Sequence, residues 1–117
     1  MADDVKIDTV RSYSSGTVGR ALNSARTNHF ILDSPSGPNE ALTNGEAFLS
    51  GISSCGVTLI EGYAQQNAIP LRRVQVTIEG IRSLATPNRF QSVAMHFELV
   101  GVDQAQADQL VQTYQGR

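Results

Sequence analysis

Apolar and polar positions change their period three times along the chain, from alternation to a helical repeat, back to alternation, and to a helical repeat again. Between Asn44 and Asn67 the apolar residues Phe48, Ile52, Cys55, Leu59 and Tyr63 are spaced 4, 3, 4 and 4 apart, which puts them on one face of an α-helix. Thr43-Asn-Gly-Glu46 supplies a capping box at its start, and Asn67-Ala68-Ile69-Pro70 stops it. The predicted helix has about 24 residues and, at 1.5 Å per residue, a length of about 36 Å. Gly51, Gly56 and Gly62 each cost about 1 kcal/mol against alanine inside a helix, so the pattern predicts close approach by another backbone there, such as a second tightly packed helix.

Alternation before the helix places a first strand around Val5, Ile7 and Thr9. Ser14-Ser-Gly-Thr-Val-Gly19 supplies a turn, Arg20 to Asn28 returns as a mostly polar second strand, and His29-Phe-Ile-Leu32 follows. The two glycines are simplest as hairpin residues, because a phosphate-binding loop needs a Gly-Lys-Ser/Thr ending and a helix after it. Asp33-Ser-Pro-Ser-Gly-Pro-Asn39 excludes both helix and central strand. Beyond the long helix, Val74, Val76 and Ile78 alternate with polar residues, as do Val93, Met95, Phe97 and Leu99, and a loop at Arg82–Arg89 joins them into an antiparallel hairpin. Asp103-Gln-Ala-Gln106 starts a last helix with Ala107, Leu110, Val111 and Tyr114 on its apolar stripe. Strands, a long helix, more strands and a helix define an α+β domain, with no repeat or second domain in residues 1–117.

At 117 residues and 12.6 kDa the chain suits one domain able to bury a real core. Nine Lys+Arg against eleven Asp+Glu give a formal charge of −2, which argues against nucleic acid as a partner. The longest apolar run is far short of the roughly 18 residues of a membrane span, and no secretory signal is visible, so the expected location is cytoplasmic. All the basic residues except Lys6 are arginines. This bias changes the picture because a guanidinium stays charged when partly buried and holds anions in a fixed fork.

The chain has one cysteine, Cys55, midway along the long helix and on its apolar stripe. In a dry apolar setting such a residue is a small core side chain; beside a cation and a space for a ligand it is a nucleophile. His29 and His96 lie in strand patterns and share no ligand spacing with each other or with Cys55, which argues against a metal site and against a Ser-His-Asp arrangement. Tyr13, Tyr63 and Tyr114 suit packing better than acid–base chemistry.

The order of N-terminal hairpin strands, a Pro/Gly/Asn loop, Glu46-Ala-Phe-Leu-Ser-Gly-Ile-Ser-Ser-Cys55 and an Ile-Pro-Leu-Arg-Arg-Val-Gln-Val segment resembles the OsmC/Ohr family of organic hydroperoxide reductases over nearly the entire chain. The resemblance implies an intertwined homodimer in which two sheets enclose central helices, with two sites at the dimer interface. Cys55 matches the peroxidatic cysteine, whose thiolate attacks the distal peroxide oxygen, releases an alcohol and becomes a sulfenic acid. The family draws an arginine from its N-terminal strands to hold that thiolate; Arg20 is the first choice, with Arg26 and Arg11 in reserve. Glu46 is the candidate acidic partner of the arginine. Aligned on Cys55, however, it falls one residue late, with Gly45 in the family's glutamate position, and the capping box alone accounts for it.

Phe48, Ile52 and Leu59 near the thiol favour a greasy organic hydroperoxide through burial of its alkyl part. The resemblance also implies an external dithiol reductant of the lipoyl type and no bound cofactor. Family members carry a second, resolving cysteine downstream, which this sequence lacks. The favoured expectation is that the chain stops short of the family's closing elements; the other is a one-cysteine member resolved by an external thiol. The alternative to a peroxidase is a non-catalytic OsmC-like dimer that binds a small apolar or thiol-reactive ligand.

Overall fold

The computed structural model describes residues 4–116. Its elements are β1 (Arg11–Ser14), β2 (Arg20–Ala25), β3 (Asn28–Asp33), α1 (Asn44–Gln66), β4 (Arg73–Ile81), β5 (Ser92–Val100) and α2 (Gln104–Gln115). This order of two helices and antiparallel strands is the α+β class that the sequence pattern predicts. The chain falls into two compact units that divide after Ala47.

The first unit is an antiparallel sheet in the order β1-β2-β3. The predicted strand around Val5, Ile7 and Thr9 is a correction: these residues are irregular and exposed, and β1 starts at Arg11. Its position is set by pairing, with Arg11 opposite Ser24 and Ser14 opposite Ala21. The single strand expected from Arg20 to Asn28 is split by a two-residue turn at Arg26-Thr27, with Ala25 opposite Asn28. Arg26 takes a positive φ of 57° there, which its sequence does not advertise. Gly19 has φ 88°, and a Cβ on it would lie 2.6 Å from the Cα of Gly37. Glycine is required on both counts. Its carbonyl also accepts the Ser34 N–H at 2.7 Å, which brings the Pro/Gly loop against the start of β2.

Among the described residues of this sheet the buried side chains are polar, Asn23 and Asp33. The Asn23 carboxamide accepts from the Ser12 hydroxyl at 2.6 Å and donates to the Ala21 and Phe30 carbonyls. Tyr13, Phe30 and Ile31 stay exposed. A three-stranded sheet with no buried apolar side chain lacks the layer such a sheet needs for stability.

The second unit has the apolar core. Ile60, Ala64, Val74 and Leu110 are buried, with Val57, Tyr63, Val76, Phe97, Leu99 and Tyr114 packed around them. β4 and β5 pair in antiparallel register, Val76 opposite Phe97 and Ile78 opposite Met95, so the two alternating patterns share one face. α2 begins with a reciprocal capping box: the Asp103 carboxylate accepts from the Gln106 N–H, and the Gln106 side chain accepts from the Asp103 N–H. α1 ends where Asn67 N–H and its side-chain amide both donate to the Tyr63 carbonyl, one turn before Pro70.

The face of α1 that meets this core is not the predicted one. Gly56, Ile60 and Ala64 are its buried residues. Helical residues advance about 100° each, so this line lies roughly a quarter-turn from Phe48, Ile52, Cys55 and Leu59. A Cβ at Gly56 would sit 3.5 Å from the Tyr114 ring, so the close neighbour is an aromatic side chain of α2. At Gly51 and Gly62 a Cβ would have no contact within 4 Å. Even at Gly56 a Cβ would make ordinary van der Waals contact, so among the described residues no close approach requires glycine at any of the three positions.

Candidate active site: a thiol on the open face of α1 and a guanidinium fork at the start of β2

Cys55 is exposed and stands near the middle of the 23-residue α1. A mid-helix thiol gains nothing from the orphan N–H groups of the first turn, so any stabilisation of its thiolate must come from a side chain. Its carbonyl accepts from the Thr58 hydroxyl at 3.3 Å, and no hydrogen bond reaches the sulfur among the described residues. On the same line of the helix Ile52 and Leu59 are half-buried and Phe48 is 59% exposed.

Phe48 has a neighbour that periodicity did not single out. Its ring stacks on Phe90 with centroids 5.9 Å apart and planes 17° apart, and the Arg82 guanidinium lies 4.2 Å over the Phe90 centroid. Arg82 is fixed by an N–H donated to the Pro87 carbonyl at 2.9 Å. Gly80 leaves the room for the Phe90 ring, since a Cβ there would collide with it.

Arg20 lies directly opposite Asp33 across β2 and β3. Its Nε donates to Asp33 Oδ1 at 2.8 Å and one Nη to Oδ2 at 2.9 Å, and that Nη also donates to Glu40 Oε1 at 3.1 Å. Asp33 is fully buried and accepts two further bonds, from the Glu40 and Ala41 backbone N–H groups at 2.9 Å each. The Arg20 fork, aided by the Ala41 and Glu40 N–H groups and opposed by desolvation, holds the Asp33 carboxyl well below the usual range. The hydrogen bonds that Arg20 donates to Asp33 and then to Glu40 push its own value further above the ordinary one. Arg11 and Arg26 are exposed, at the start of β1 and in the β2–β3 turn.

Glu46 is held at the start of α1. Its carboxylate accepts the Thr43 N–H at 2.9 Å, and its own N–H donates to the Thr43 hydroxyl at 3.1 Å. It lies nine positions before Cys55, which is half a turn round the helix at about 100° per residue. The carboxylates that meet Arg20 are those of Asp33 and Glu40, neither of which motif reading identified. The usable signal was strand register: a carboxylate closing β3 opposite the arginine opening β2.

The buried pair has a pH signature. Because the folded value of Asp33 lies below the ordinary 3.8, the unfolded chain binds the proton first as pH falls, and stability rises with pH across that window. The contribution is complete above 3.8 and is lost as pH drops through the lowered folded value. Asp33→Asn should lower the stability of the β1–β3 sheet at neutral pH. Its deficit against wild type should stay constant down to about pH 5 and close progressively below the unfolded carboxylate value. Amide hydrogen exchange of β2 and β3 against pH measures this, and a deficit that widens in acid would contradict it.

Among the described residues no group of three or more His, Cys, Asp and Glu side chains is placed to hold a metal ion, and no helix is long and apolar enough to cross a membrane. A cleft of about 700 Å³ beside α2 is lined by Phe97, Leu99, Val111 and several glutamines and aspartates, without Cys55.

The described residues thus form an α+β chain with an exposed thiol on its long helix and, in the N-terminal sheet, a buried carboxylate that holds an arginine. Residues 37–117 match the family of OsmC-like proteins, and the chain belongs to that family. The crystal structure of an OsmC-like protein from Mycoplasma pneumoniae is similar at a TM-score of 0.83 and 14% identity, over 96% of this chain and 82% of that one. The organic hydroperoxide resistance protein OsmC from Legionella pneumophila gives 0.74 and 21%, over 97% and 85%. An organic hydroperoxide resistance protein from Elizabethkingia anophelis gives 0.70 and 14%, over 98% and 85%. At these identities the likeness is one of fold. No curated protein matches the chain.

Proposed function

We propose that the protein is a thiol-dependent peroxidase that reduces organic hydroperoxides to alcohols as a homodimer. The observation that carries this reading is the exposure of the only cysteine on an apolar helix face, in a chain of the OsmC family. A structural cysteine would be expected on the Gly56-Ile60-Ala64 line instead.

In the proposed reaction the Cys55 thiolate attacks the distal peroxide oxygen. The S–O bond forms as the O–O bond breaks, sulfur loses two electrons, and the alkoxide leaves and takes a proton to become the alcohol. Arg20 is assigned as the cation that favours the thiolate and polarises the peroxide. Phe48, Ile52 and Leu59 are assigned to the alkyl part of the substrate. Glu46 is kept to capping. An external dithiol, of the lipoyl type by family resemblance, then returns the sulfenic acid to the thiol, with release of water and a disulfide of the reductant.

Two features support the dimer. The sheet β1–β3 leaves Tyr13, Phe30 and Ile31 exposed, and the helix line that carries Cys55 has open space at Gly51 and Gly62. A second copy would cover both kinds of surface.

One observation favours the other reading, a non-catalytic dimer that binds a small apolar or thiol-reactive ligand on the same face. The Arg20 guanidinium is already engaged by two carboxylates, which reduces the positive potential it can offer a thiolate. Single-turnover oxidation separates the two. With one equivalent of cumene hydroperoxide or of hydrogen peroxide, and a sulfenic-acid trap, the peroxidase should be modified at Cys55 faster by the organic peroxide. Modification no faster than that of a free thiol in the denatured chain would favour the binding reading.

A further inference from the structure

The loop between β4 and β5 holds a cavity of about 380 Å³, lined by Ser83, Thr86, Arg89, Phe90 and Gln91. All five residues belong to the second unit. The volume is at the small end of ligand sites and suits a molecule of one or two rings.

Three fixtures hold the apolar wall of this cavity. The Phe90 ring stacks on Phe48, fills the room left by the missing side chain of Gly80, and carries the Arg82 guanidinium over its face. Arg82 is itself tied to the Pro87 carbonyl, so the ring and the loop that bears it are set before a ligand arrives. A wall ordered in advance costs a ligand less entropy on binding.

The polar lining is one-sided. Arg89 offers a guanidinium, Ser83 and Thr86 offer hydroxyls, Gln91 offers an amide, and no carboxylate lines the cavity. The Ser83 hydroxyl oxygen accepts the Ala85 N–H, which leaves its own proton to donate. Among the described residues the side chains of Thr86, Arg89 and Gln91 make no hydrogen bond, and Arg89 makes no ion pair. Between Glu79 and Glu98 the sequence has no acidic residue, while it carries Arg82, Arg89 and His96. Donors and a cation without a protein acceptor favour an anion. A guanidinium fork meets the two oxygens of a carboxylate edge to edge, and the one cation of the lining balances a single negative charge. The phenyl wall beside it suits a flat apolar body.

We propose that the β4–β5 loop is a binding site for a small aryl carboxylate, with the carboxylate on Arg89 and the Ser83 and Thr86 hydroxyls and the aromatic body on Phe90. The site asks nothing of Cys55 or Arg20, so it stands or falls apart from the peroxidase reading.

The test titrates the full chain with naphthoate, the uncharged naphthylmethanol of the same shape, acetate and inorganic phosphate, reading affinity by calorimetry and location by the backbone amide resonances of Arg89 and Gln91. Naphthoate should shift both resonances and bind about tenfold or more tighter than naphthylmethanol, the order expected for one charge-assisted pair. Its affinity should fall with added salt. Acetate, which has the carboxylate without the body, should bind about tenfold or more weaker than naphthoate. Arg89 is exposed, so Arg89→Gln should keep the wild-type melting temperature while naphthoate affinity drops about fivefold or more and naphthylmethanol changes less than about twofold. Arg89→Lys, which keeps the charge and loses the fork, should recover only part of the loss. Cys55→Ser should bind naphthoate as the wild type does. Equal affinity for naphthoate and naphthylmethanol, acetate or phosphate bound as tightly as naphthoate, or an Arg89→Gln variant that binds like the wild type overturns the assignment. Loss of naphthoate binding in Cys55→Ser would move the site to the thiol face and overturn it as well.

Discussion

Cys55→Ser should abolish hydroperoxide turnover, by roughly 10³-fold or more as expected for loss of a reaction's nucleophile, while the protein keeps its fold. The two halves of this expectation come from different observations. Cys55 is exposed, so exchanging sulfur for oxygen removes little packing, and substitutions at such positions usually stay within about 0.5 kcal/mol. Serine keeps the shape of the side chain but ionises far less readily than a thiol, and its oxygen cannot expand to a stable two-electron oxidised form as sulfur does. Peroxide consumption with a dithiol reductant measures the first half and a thermal melt the second. Retained turnover would remove Cys55 from the chemistry. Lost turnover with a lowered melting temperature would point instead to a structural thiol.

The parts of the fold that were legible in the sequence are those whose signal is local. Period-2 alternation gave β4 and β5, because one face of that hairpin packs on α1 and α2 and the other meets solvent. Capping residues gave the starts of both helices, since an orphan N–H at a helix terminus has few partners other than its own neighbours. The N-terminal sheet was read less well. β1 has the sequence Arg-Ser-Tyr-Ser and is exposed throughout, so it has no apolar alternation to find. Its place depends on pairing with β2, while Val5 and Ile7 alternate convincingly and lie in no strand among the described residues. The turn at Arg26-Thr27 lacks the glycine or asparagine that such a turn usually carries.

The candidate site divides along the same line. Cys55 could be found because it is the one thiol of the sequence on a strongly periodic helix. Arg20 could be nominated by position, but what surrounds it could not. Asp33 looked like the first residue of a Pro/Gly loop, and only the register that sets it opposite Arg20 turns it into a buried acceptor. Glu40 reaches the guanidinium because the loop folds back far enough for its N–H, and that of Ala41, to bond the same Asp33 oxygen. Three residues from separate segments meet there through long-range hydrogen bonds, which carry no sequence period.

Ile60→Ala should destabilise the second unit by about 2–5 kcal/mol, the range for emptying a buried aliphatic site, whereas Leu59→Ala should cost about 1 kcal/mol or less. The two residues are adjacent and chemically alike, and helix rotation separates them by about 100°. Ile60 is fully buried among Ala64, Val74 and Leu110. Its contacts come from β4 and α2, whose own hydrogen bonding keeps them from collapsing into the void. Leu59 is half-buried on the line of Cys55, so truncation there returns surface to water without leaving a cavity. Apolar periodicity alone ranks them the other way, since Leu59 lies on the stripe with Phe48, Ile52 and Tyr63 and Ile60 lies off it. The core inverts the order because β4 and α2 place Val74 and Leu110 on the side of the helix that carries Ile60 and Ala64, and Leu59 is outside that cluster. Chemical denaturation of each variant distinguishes the two faces. Leu59→Ala should also weaken self-association on dilution if a second copy covers its side of the helix, an effect Ile60→Ala should lack at equal folded fraction. Equal stability losses for the two would place the core on the stripe that carries the thiol, leave Cys55 a packing residue, and withdraw the surface on which a hydroperoxide is proposed to bind.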